Sequence, residues 1–275
     1  MKVSIQGNKG SYHDVAAHEC FAGVDIDELE RDTFKEVFAD VSEGRAEAGV
    51  IAIENSIAGS ILENYDLLLK NDLHIRGEHY LRISHQLMAL PGTTIDEITE
   101  VRSHPMAIKQ CQNFLDRYPD WRIVEAPDTA GSAALIRRRM MDGTAAIASR
   151  RAAELYELDI IAENIETNEQ NYTRFLVISK NDIYSPDADK TSIVFKAADK
   201  PGSLAAVLTV FADLGINLSK IESRPVVGRS FRYYFYTDFD AGLHEARTQK
   251  ALREIDQHTS WLQILGSYRH GKLFE

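Results

Sequence analysis

The sequence predicts a mixed α/β protein that ends in a smaller ferredoxin-like unit. Up to residue 180, short β-like runs alternate with stretches of helical periodicity, which indicates strands layered against helices. Residues 49–53 are almost entirely apolar, as expected of a strand buried on both faces. Beyond residue 190 the predicted order becomes βαββαβ, the split-βαβ arrangement. A polar stretch with one proline at 181–190 predicts a linker between the two parts.

Turn residues and apolar periodicity define the elements of the first part. Ser11 lies three residues before Asp14, the spacing of a capping box, and predicts a helix start. The apolar residues of Phe34–Ser42 fall on one helical face, Pro105 suits a first helical position, and Asp128 caps a further helix. Predicted helices are 12–20, 34–42, 57–70, 105–117, 129–141 and 151–157. Predicted strands are 2–6, 49–53, 100–103, 121–125, 145–149, 160–162 and 173–179, with a β-rich stretch at 74–90.

The same signals define the second part. Pro201 and Gly202 begin a helix whose apolar residues share one face up to residue 214. A run rich in aromatic residues at 231–239 predicts a strand. The remaining predicted elements are strands at 191–197, 216–223 and 261–267 and a helix at 244–255.

The charge of the chain is negative and uneven. Its 275 residues include 31 Lys+Arg and 42 Asp+Glu, which give a net charge of -11 and a pI near 5.3. This balance argues against nucleic acid, whose binders carry a basic face, and against anionic membrane surfaces. Residues 190–275 carry 12 basic and 9 acidic side chains, whereas residues 1–189 carry 19 and 33. The asymmetry indicates an acidic first domain and a mildly basic second one.

Signals for metals, nucleotides and targeting are missing from the sequence. Cys20 and Cys111 form no CxxC pair, and the nine histidines show neither HExxH nor a Cys/His cluster. GxGxxG, P-loop and GxSxG motifs do not occur. The first residues have no signal-peptide core, and no apolar run reaches the roughly 18–20 residues of a membrane span. We therefore expect a cytoplasmic protein with no metal and no cofactor.

Polar residues follow several predicted strands, and strand ends are where ligands bind in α/β sheets. Residues 7–10, before Ser11, could offer backbone N–H groups to an anion or form a plain turn. Residues 54–56 come directly after a buried strand and fit either a helix cap or a binding site. Residues 103–105 and 128–129 stand at equivalent strand-to-helix positions, and the same two interpretations apply to them.

The start of the last strand of the first part carries the most unusual residues. Thr173 and Arg174 place a hydroxyl group and a guanidinium before an apolar run. Because an arginine is almost never buried unpaired, Arg174 needs an anion. That anion is either a partner carboxylate, for which Glu54 is a candidate, or a ligand.

Short motifs follow one another in a recognisable order along nearly the whole chain. They are GxxGSY at 7–12, AIENSxxG at 52–59, SHPxAxxQC at 103–111, DTA at 128–130, AAIA at 145–148, NxTRF at 171–175, PGSL at 201–204 and ESRP at 222–225. In this order and spacing they resemble the prephenate dehydratase family with its C-terminal ACT regulatory domain. The sequence departs from the family pattern at Asn8, His13, Ala52, Asp128 and Ser203, where Pro, Ser, Pro, Ser and Ala are usual.

The resemblance implies a catalytic domain at 1–180 that folds like a periplasmic binding protein, with two α/β lobes and a cleft between them. The chain would cross between the lobes twice. A ferredoxin-like ACT domain would follow and would pair with a second copy in a homodimer or homotetramer. The implied boundaries are 1–77 with 165–180 for lobe 1, 78–164 for lobe 2, 181–190 for the linker and 191–275 for the ACT domain.

The implied reaction converts prephenate to phenylpyruvate, CO2 and water, a lyase step without redox change that needs no cofactor. Thr173 would donate a hydrogen bond or a proton to the leaving hydroxyl group. Arg174 would bind a carboxylate, and Phe175 would contact the ring or pack in the core. Glu54 would either pair with Arg174 or orient Asn55. The implied substrate-binding residues are Ser11, Asn55, Ser103, Gln110, Thr129, Asn171, Arg174 and Phe175, with Glu54, Ser56 and His104 in supporting positions.

The second domain is expected to bind L-phenylalanine between paired ACT domains and thereby to inhibit the enzyme. The implied effector-binding residues are Gly202, Ser203, Leu204, Glu222, Ser223, Arg224 and Pro225. Two alternatives stay open at this point. One is arogenate dehydratase, which performs the same chemistry on the aminated substrate. The other is a non-catalytic solute sensor with an ACT domain, against which the hydroxyl group of Thr173 beside Arg174 counts.

Overall fold

The computed structural model of the chain describes residues 1–181, 185–226, 228 and 231–272. These residues form two α/β lobes and a C-terminal domain. Residues 182–184 of the predicted linker lie outside the described part, as do 227, 229–230 and 273–275 of the predicted second domain. Among the described residues, no helix has the length and apolar character needed to cross a membrane.

The elements are numbered in chain order. The first lobe begins with β1 (Lys2–Gln6), α1 (Tyr12–Cys20), β2 (Asp27–Arg31), α2 (Phe34–Ser42), β3 (Ala48–Asn55), β4 (Gly59–Ser60), α3 (Leu62–Asn71) and β5 (His74–Arg82). The second lobe contains β6 (Gln86–Ala89), a 3-10 helix (Ile95–Glu97), β7 (Glu100–Ser103), α4 (Pro105–Gln110), α5 (Gln112–Leu115), β8 (Arg122–Glu125), α6 (Thr129–Arg139), β9 (Thr144–Ala148), α7 (Arg150–Leu155) and β10 (Asp159–Ala162). The chain then returns to the first lobe with β11 (Tyr172–Ser179). The C-terminal domain contains β12 (Lys190–Ala197), α8 (Ser203–Asp213), β13 (Leu218–Pro225), β14 (Tyr233–Phe239), α9 (Ala246–Asp256) and β15 (Thr259–Tyr268).

The first lobe is built on a sheet of order β2-β1-β3-β11-β5, with β4 paired to β3. Strands β2, β1 and β3 are parallel, and β11 runs antiparallel between β3 and β5. Strand β2 was not predicted, because four of its five residues are charged. It lies at the edge of the sheet and is only half buried, where charged side chains are common and an apolar run is not required.

The second lobe has a sheet of order β10-β6-β9-β7-β8. The predicted β-rich stretch at 74–90 therefore divides into β5 and β6, which belong to different sheets. The expected lobe boundary at residue 78 falls inside β5, which pairs with β11 as far as Arg82. The first crossing between the lobes is consequently at 83–85, and the second lies between β10 and β11. The predicted arrangement of two α/β lobes is confirmed.

The helix predicted at 105–117 is interrupted at Cys111. The carbonyl oxygen of Gln110 accepts a hydrogen bond from the Thr167 N–H at 2.7 Å, a contact with the segment that returns to the first lobe. Cys111 leaves helical geometry there, with φ -103° and ψ 15°, and α5 begins afterwards. The interruption leaves Gln110 at the end of α4, where its side chain faces the space between the lobes.

The C-terminal domain has the predicted βαββαβ order, and its sheet runs β13-β14-β12-β15. One face of this sheet packs against α8 and α9 through a cluster that includes Phe195, Phe211 and Ile255. The other face joins the core of the first lobe. Tyr236 lies there against Tyr65, with ring centroids 4.9 Å apart and with its hydroxyl group donating to the Tyr65 carbonyl oxygen.

Buried charged side chains from both domains lie beside this shared core and pair with one another. The Arg174 guanidinium on β11 donates to Glu78 on β5 at 2.6 Å and to Asp238 on β14 at 2.5 Å. Lys190 on β12 donates to both oxygens of Glu78 at 3.0 Å. The hydroxyl group of Tyr268 accepts from Arg174 at 3.0 Å. The cluster therefore pairs two cations with two carboxylates across the boundary between the first lobe and the C-terminal domain.

The electrostatics of this cluster keep Asp238 ionised. Burial raises the pKa of the Asp238 carboxyl, but Arg174, Ser192 and Lys190 outweigh that effect and hold the pKa below its ordinary value. A carboxyl whose pKa is lower in the folded than in the unfolded protein stabilises the fold above the unfolded pKa. We therefore expect this contribution to be lost as the pH falls below about 4 and through the lower folded-state pKa.

Substitution of Glu78 tests the buried cluster. Glu78→Gln removes the carboxylate that Arg174 and Lys190 share, and loss of one partner of a buried ion pair costs about 3–5 kcal/mol. We expect the free energy of unfolding, measured by urea denaturation, to fall by about that amount. Glu254→Gln makes the same chemical change in the exposed pair with Lys250 and should have little effect. Equal losses in the two variants would contradict the assigned role.

Candidate active site

A cavity of about 320 Å³ lies between the two lobes. The first lobe contributes β3, β11 and the start of α1, and the second contributes the starts of α4 and α6. The side chains around it are Gln6, Ser11, Tyr12, His13, Ala52, Asn55, Ala58, Ile61, Ile83, His85, His104, Met106, Ala107, Gln110, Pro127, Asp128, Thr129, Thr173 and Phe175. In the described part of the chain, neither lysine nor arginine lines this cavity. An anionic ligand would therefore meet mostly neutral donors.

Asn55 and Thr173 form a fixed pair on the first-lobe wall. The residues are partners in the antiparallel pairing of β3 and β11, and Asn55 Nδ2 donates to Thr173 Oγ1 at 3.0 Å. Asn55 Oδ1 accepts from the N–H groups of Ile57 and Ala58, which sets the orientation of the amide. Because Thr173 Oγ1 already accepts a hydrogen bond, its own proton remains available to a ligand.

Two helices direct their N-termini at the cavity. Ser11 Oγ caps α1 by accepting from the Asp14 N–H, and Asp128 caps α6 by accepting from the Gly131 N–H. Ser11 and Thr129, at the starts of these helices, line the cavity. The free N–H groups and the dipole of a helix N-terminus attract anions, so both ends can supply positive potential without a charged side chain.

His13 is a cavity residue that the sequence marked only as a departure from the family pattern. Its Nε2 accepts from the Ala52 N–H at 3.2 Å, which places the proton of a neutral ring on Nδ1. The ring meets Phe175 edge to face, with centroids 5.0 Å apart. Burial lowers the pKa of His13 to about 4, so the ring is neutral at pH 7. His13 therefore offers an N–H donor and an aromatic surface rather than a charge.

His85 links two other cavity residues. Its Nδ1 is 2.8 Å from the Tyr12 hydroxyl group, and its Nε2 is 2.8 Å from Gln110 Oε1. Burial lowers the pKa of His85 despite the contact with Gln110, and a neutral ring that carries its proton on Nε2 donates to Gln110. This bond engages the Gln110 oxygen and leaves its NH2 group as a donor. The Tyr12 hydroxyl group has one proton, which it can donate either to His85 Nδ1 or to the Ser84 carbonyl oxygen 2.9 Å away. No local sequence signal marks His85, because its partners lie 73 and 25 residues away.

Asp128 is the carboxyl group among the described lining residues. Burial raises its pKa, against the opposing effect of the Gly131 and Ala130 N–H groups and of His104. The sequence left Asp128 open between a helix cap and a binding site, and in the structure it both caps α6 and lines the cavity. His104 caps α4 through Nδ1 and also lines the cavity.

The lobes touch closely beside the cavity. The Gly10 carbonyl oxygen accepts from Ser149 Oγ at 2.5 Å, and Arg151 Nε lies 2.6 Å from Asp14 Oδ2. A Cβ atom at Gly10 would lie 2.9 Å from the Ala152 Cα atom, and Gly10 has φ +84°. Both the approach of the lobes and the backbone conformation therefore require glycine at this position.

A carboxylate–histidine group adjoins this lobe contact. Asp14, His18 and Glu28 place one possible ligand atom each within 4.8 Å of one another. The Arg151 guanidinium lies against the same group, 2.6 Å from Asp14 and 3.1 Å from His18 Nε2. A neighbouring cation and an engaged imidazole disfavour metal binding, so the geometry is that of an ion-pair cluster between the lobes.

Five expected site residues do not line the main cavity, namely Ser103, Asn171, Ser56, Arg174 and Glu54. Ser103 is buried and donates to the Ile147 carbonyl oxygen at 2.6 Å. Asn171 accepts from Asn55 and lines an adjoining cavity of about 430 Å³, which Gln110 also lines. Ser56 donates to the Gln170 carbonyl oxygen and accepts from the Tyr172 N–H, which holds the start of β11. The remaining expected residues Ser11, Asn55, His104, Gln110, Thr129, Thr173 and Phe175 lie around the main cavity.

The positions and partners of Arg174 and Glu54 differ most from those that were expected. Arg174 does not face the cavity, and Glu54 is not its partner. Consecutive residues of a strand point to opposite faces, so Arg174 faces away from the cleft when Thr173 faces it. Its guanidinium binds Glu78 and Asp238 instead, and Glu54 pairs with Lys220 of the C-terminal domain at 2.8 Å.

The expected effector residues divide between two faces of the C-terminal domain. Glu222 accepts from Ser60 Oγ at 2.7 Å, and Arg224 binds Asp66 at 2.6 Å, so both side chains face the first lobe. Ser223 and Pro225 alternate with them and are exposed on the opposite face. Gly202, Ser203 and Leu204 form the start of α8, where Gly202 has φ +82°.

Comparisons with known proteins agree with this architecture. Residues 3–183 match the family model of prephenate dehydratase, and residues 191–257 match that of the ACT domain. Arogenate dehydratase 5, chloroplastic, of Arabidopsis thaliana is 42% identical, over 98% of this chain and 67% of that protein. The crystal structure of prephenate dehydratase in complex with L-Phe from Arthrobacter aurescens is 28% identical, with a TM-score of 0.87 over 98% of this chain and 90% of that one. A structure described as GqqA, a novel type of quorum quenching acylase, is 31% identical, with a TM-score of 0.89 over 98% of both chains.

The family match extends through both lobes, and the second match falls on the C-terminal βαββαβ domain. The motifs that carried the resemblance contribute the Thr173–Asn55 pair and the capped helix ends around the cavity. The chain belongs to the prephenate dehydratase family and carries a C-terminal ACT domain.

Proposed function

We propose that this chain is a prephenate dehydratase, which converts prephenate to phenylpyruvate, CO2 and water. The observation that carries the proposal is the Thr173–Asn55 pair, which presents a hydroxyl proton to an interlobe cavity faced by two helix N-termini. Membership of the family agrees with this chemistry.

The cavity suits a small ring that carries two carboxylates. Its volume of about 320 Å³ falls in the usual range for small-molecule sites. Phe175, Ile61 and Met106 supply apolar surface for the ring. The donors at the starts of α1 and α6, together with the free NH2 group of Gln110, would hold the carboxylates.

The reaction needs a proton at one position. As the bond from the ring to the carboxylate breaks, its electron pair moves through the diene and expels the para hydroxyl group, and the ring becomes aromatic. A hydrogen bond from Thr173 stabilises the negative charge that develops on the departing oxygen, which takes up one proton from solvent and leaves as water. Donation from Asn55 to Thr173 Oγ1 strengthens that hydrogen bond, because donors and acceptors in a chain polarise one another.

Arogenate is the second candidate substrate. It carries an ammonium group in place of the keto group of prephenate, and Asp128 is a carboxyl group in the cavity that could pair with an ammonium. A relative described as an arogenate dehydratase adds to this possibility. We favour prephenate, because the Asp128 carboxyl is already engaged as the cap of α6, where it accepts from the Gly131 N–H.

The cavity gives acyl transfer less support. An acylase nucleophile needs an adjacent base, as in a serine–histidine pair. Thr173 Oγ1 has an amide donor, Asn55, as its partner instead. The Thr173–Asn55 pair therefore does not support the acylase activity by which one solved neighbour is described.

The ACT domain is proposed to bind L-phenylalanine and to inhibit the reaction within a homodimer or homotetramer. A solved relative is described as a complex with L-Phe. Ile221, Ser223 and Pro225 leave an exposed strip on the edge strand β13, beside which a second copy could pair. The protein is proposed to be located in the cytoplasm. Cys20 and Cys111 are free thiols, which agrees with that reducing compartment.

Removal of the Thr173 hydroxyl group tests the assigned chemistry. Thr173→Ala should lower kcat for prephenate by orders of magnitude with a modest change in KM, because the hydrogen bond forms mainly in the transition state. Phenylpyruvate formation measures the rate. Thr173→Ser keeps a hydroxyl group and should retain much more activity. A loss below about tenfold in Thr173→Ala, equal to about 1.4 kcal/mol, would refute the role.

Steady-state rates decide between the two substrates. We expect wild-type kcat/KM to be higher for prephenate than for arogenate. Asp128→Asn should lower kcat/KM for arogenate more than for prephenate, because only arogenate carries an ammonium group that could pair with the Asp128 carboxylate. A higher wild-type value for arogenate would overturn our choice of substrate.

L-phenylalanine should inhibit the wild-type enzyme. Initial rates at rising effector concentration measure the effect, and D-phenylalanine serves as the control for stereospecific binding. Undiminished rates at millimolar L-phenylalanine would remove the regulatory part of the proposal.

A further inference from the structure

Two neighbouring residue pairs on β3 and β11 face opposite ways. Thr173 pairs with Asn55 and faces the cavity. The next pair in the register joins Arg174 to Glu54 and faces the ACT domain. The same two strands therefore carry the cavity donors on one face and charged groups for the ACT sheet on the other.

Both charged groups end on the ACT sheet. Arg174 Nη1 donates to Asp238 Oδ2 at 2.5 Å, and Arg174 is 6% exposed. Glu54 Oε1 lies 2.8 Å from Lys220 Nζ, and the Lys220 side chain is 10% exposed. Lys220 also donates to Ser60 Oγ on β4, the strand that pairs with β3. On the face away from the cavity, β11 is therefore bound to β14 and β3 is bound to β13 of the ACT sheet.

The backbone at this point needs such support. Arg174 pairs with Glu54 but Phe175 pairs with Ala52, so Ile53 is an extra residue in β3. A bulge of this kind disrupts the ladder and changes the direction of neighbouring side chains. The direction of Thr173 and Asn55 therefore depends on side-chain contacts as well as on backbone hydrogen bonds, and the nearest charged contacts are those of Arg174 and Glu54.

We propose that Arg174 and Glu54 are positioning residues through which the ACT sheet holds the Thr173–Asn55 pair in its working geometry. Movement of β13 and β14 relative to the first lobe would pull on both pairs and displace the two cavity donors together. This inference rests on the proposed function and names the contacts by which the regulatory domain would reach the chemistry. A displacement of about 1 Å in a reacting group lowers a rate by about a hundredfold, so small movements suffice.

The test removes the ACT-side partners and leaves the cavity intact. Lys220→Met and Asp238→Asn should each lower kcat for prephenate about ten- to a hundredfold while KM changes little. Both should also reduce the factor by which L-phenylalanine lowers the rate, because each removes a contact through which the ACT sheet would displace the cavity donors. In a Glu54→Gln background, Lys220→Met should have a much smaller effect, since its partner is already neutral.

Asp66→Asn is the matched control. It removes another ion pair between the first lobe and β13, the pair of Asp66 with Arg224, but Asp66 lies on α3 rather than on a cleft strand. Its kcat should stay near wild type. If Lys220→Met and Asp238→Asn change kcat no more than Asp66→Asn, the inference is overturned.

A readout without turnover separates this inference from the proposed function. Hydrogen–deuterium exchange of the peptide spanning 171–175 should be faster in Lys220→Met and Asp238→Asn than in Asp66→Asn. An inactive wild type would refute the proposed function alone, and the exchange rates would still decide the positioning role. Equal exchange in the three variants would refute that role even in an active enzyme. If Asp238→Asn does not fold, Lys220→Met still provides the test. The carboxylate that Lys220→Met leaves unpaired is that of Glu54, which is partly exposed.

Discussion

The alternation of side chains along β11 is the constraint on which the rest of the structure depends. A single step along the strand separates the hydroxyl group of Thr173, at the cavity, from the guanidinium of Arg174, inside the boundary with the ACT domain. Neither environment would suit the other side chain. The described lining of the cavity offers Arg174 one carboxyl group, Asp128, whereas the buried cluster offers two. A threonine in the buried cluster would leave Glu78 and Asp238 without the cation that they share. The face on which β11 presents each residue therefore sets both the site and the domain boundary.

The cavity also shows how an acidic protein can accommodate an anion. The chain has a net charge of -11, yet anion recognition in the cavity relies on helix ends, amides and hydroxyl groups. These dipoles act over short distances and are held in place by caps such as Ser11 and by the bond from His85 to Gln110. Net charge affects long-range steering, whereas the local arrangement of dipoles determines binding. The acidic first domain and a site for a dianion are thus compatible.

Sequence patterns predicted the βαββαβ domain, most strands and the cap residues, because these depend on neighbours within a few positions. They did not predict β2, whose charged residues lie at a sheet edge, or His85, whose partners are distant in sequence. The family resemblance assigned Arg174 to the substrate. The strand itself did not contradict this, because β11 is buried on both faces and its sequence shows no alternation that distinguishes cavity from interior. Its partner Asp238 lies 64 residues further along the chain. The extra residue Ile53 likewise follows from pairing and not from local pattern.

The core shared by the first lobe and the ACT sheet limits the exchange of ACT domains between relatives. Val194, Tyr236 and Leu265 of the ACT domain pack in one cluster with Leu68 and Ile75 of the first lobe, beside the buried charges. A catalytic fragment that ended before β12 would expose this apolar surface to water. The two domains therefore share one apolar core, and they are not interchangeable parts. A chimaera that receives its ACT domain from a relative would need matching groups at the boundary before its allosteric behaviour could be compared.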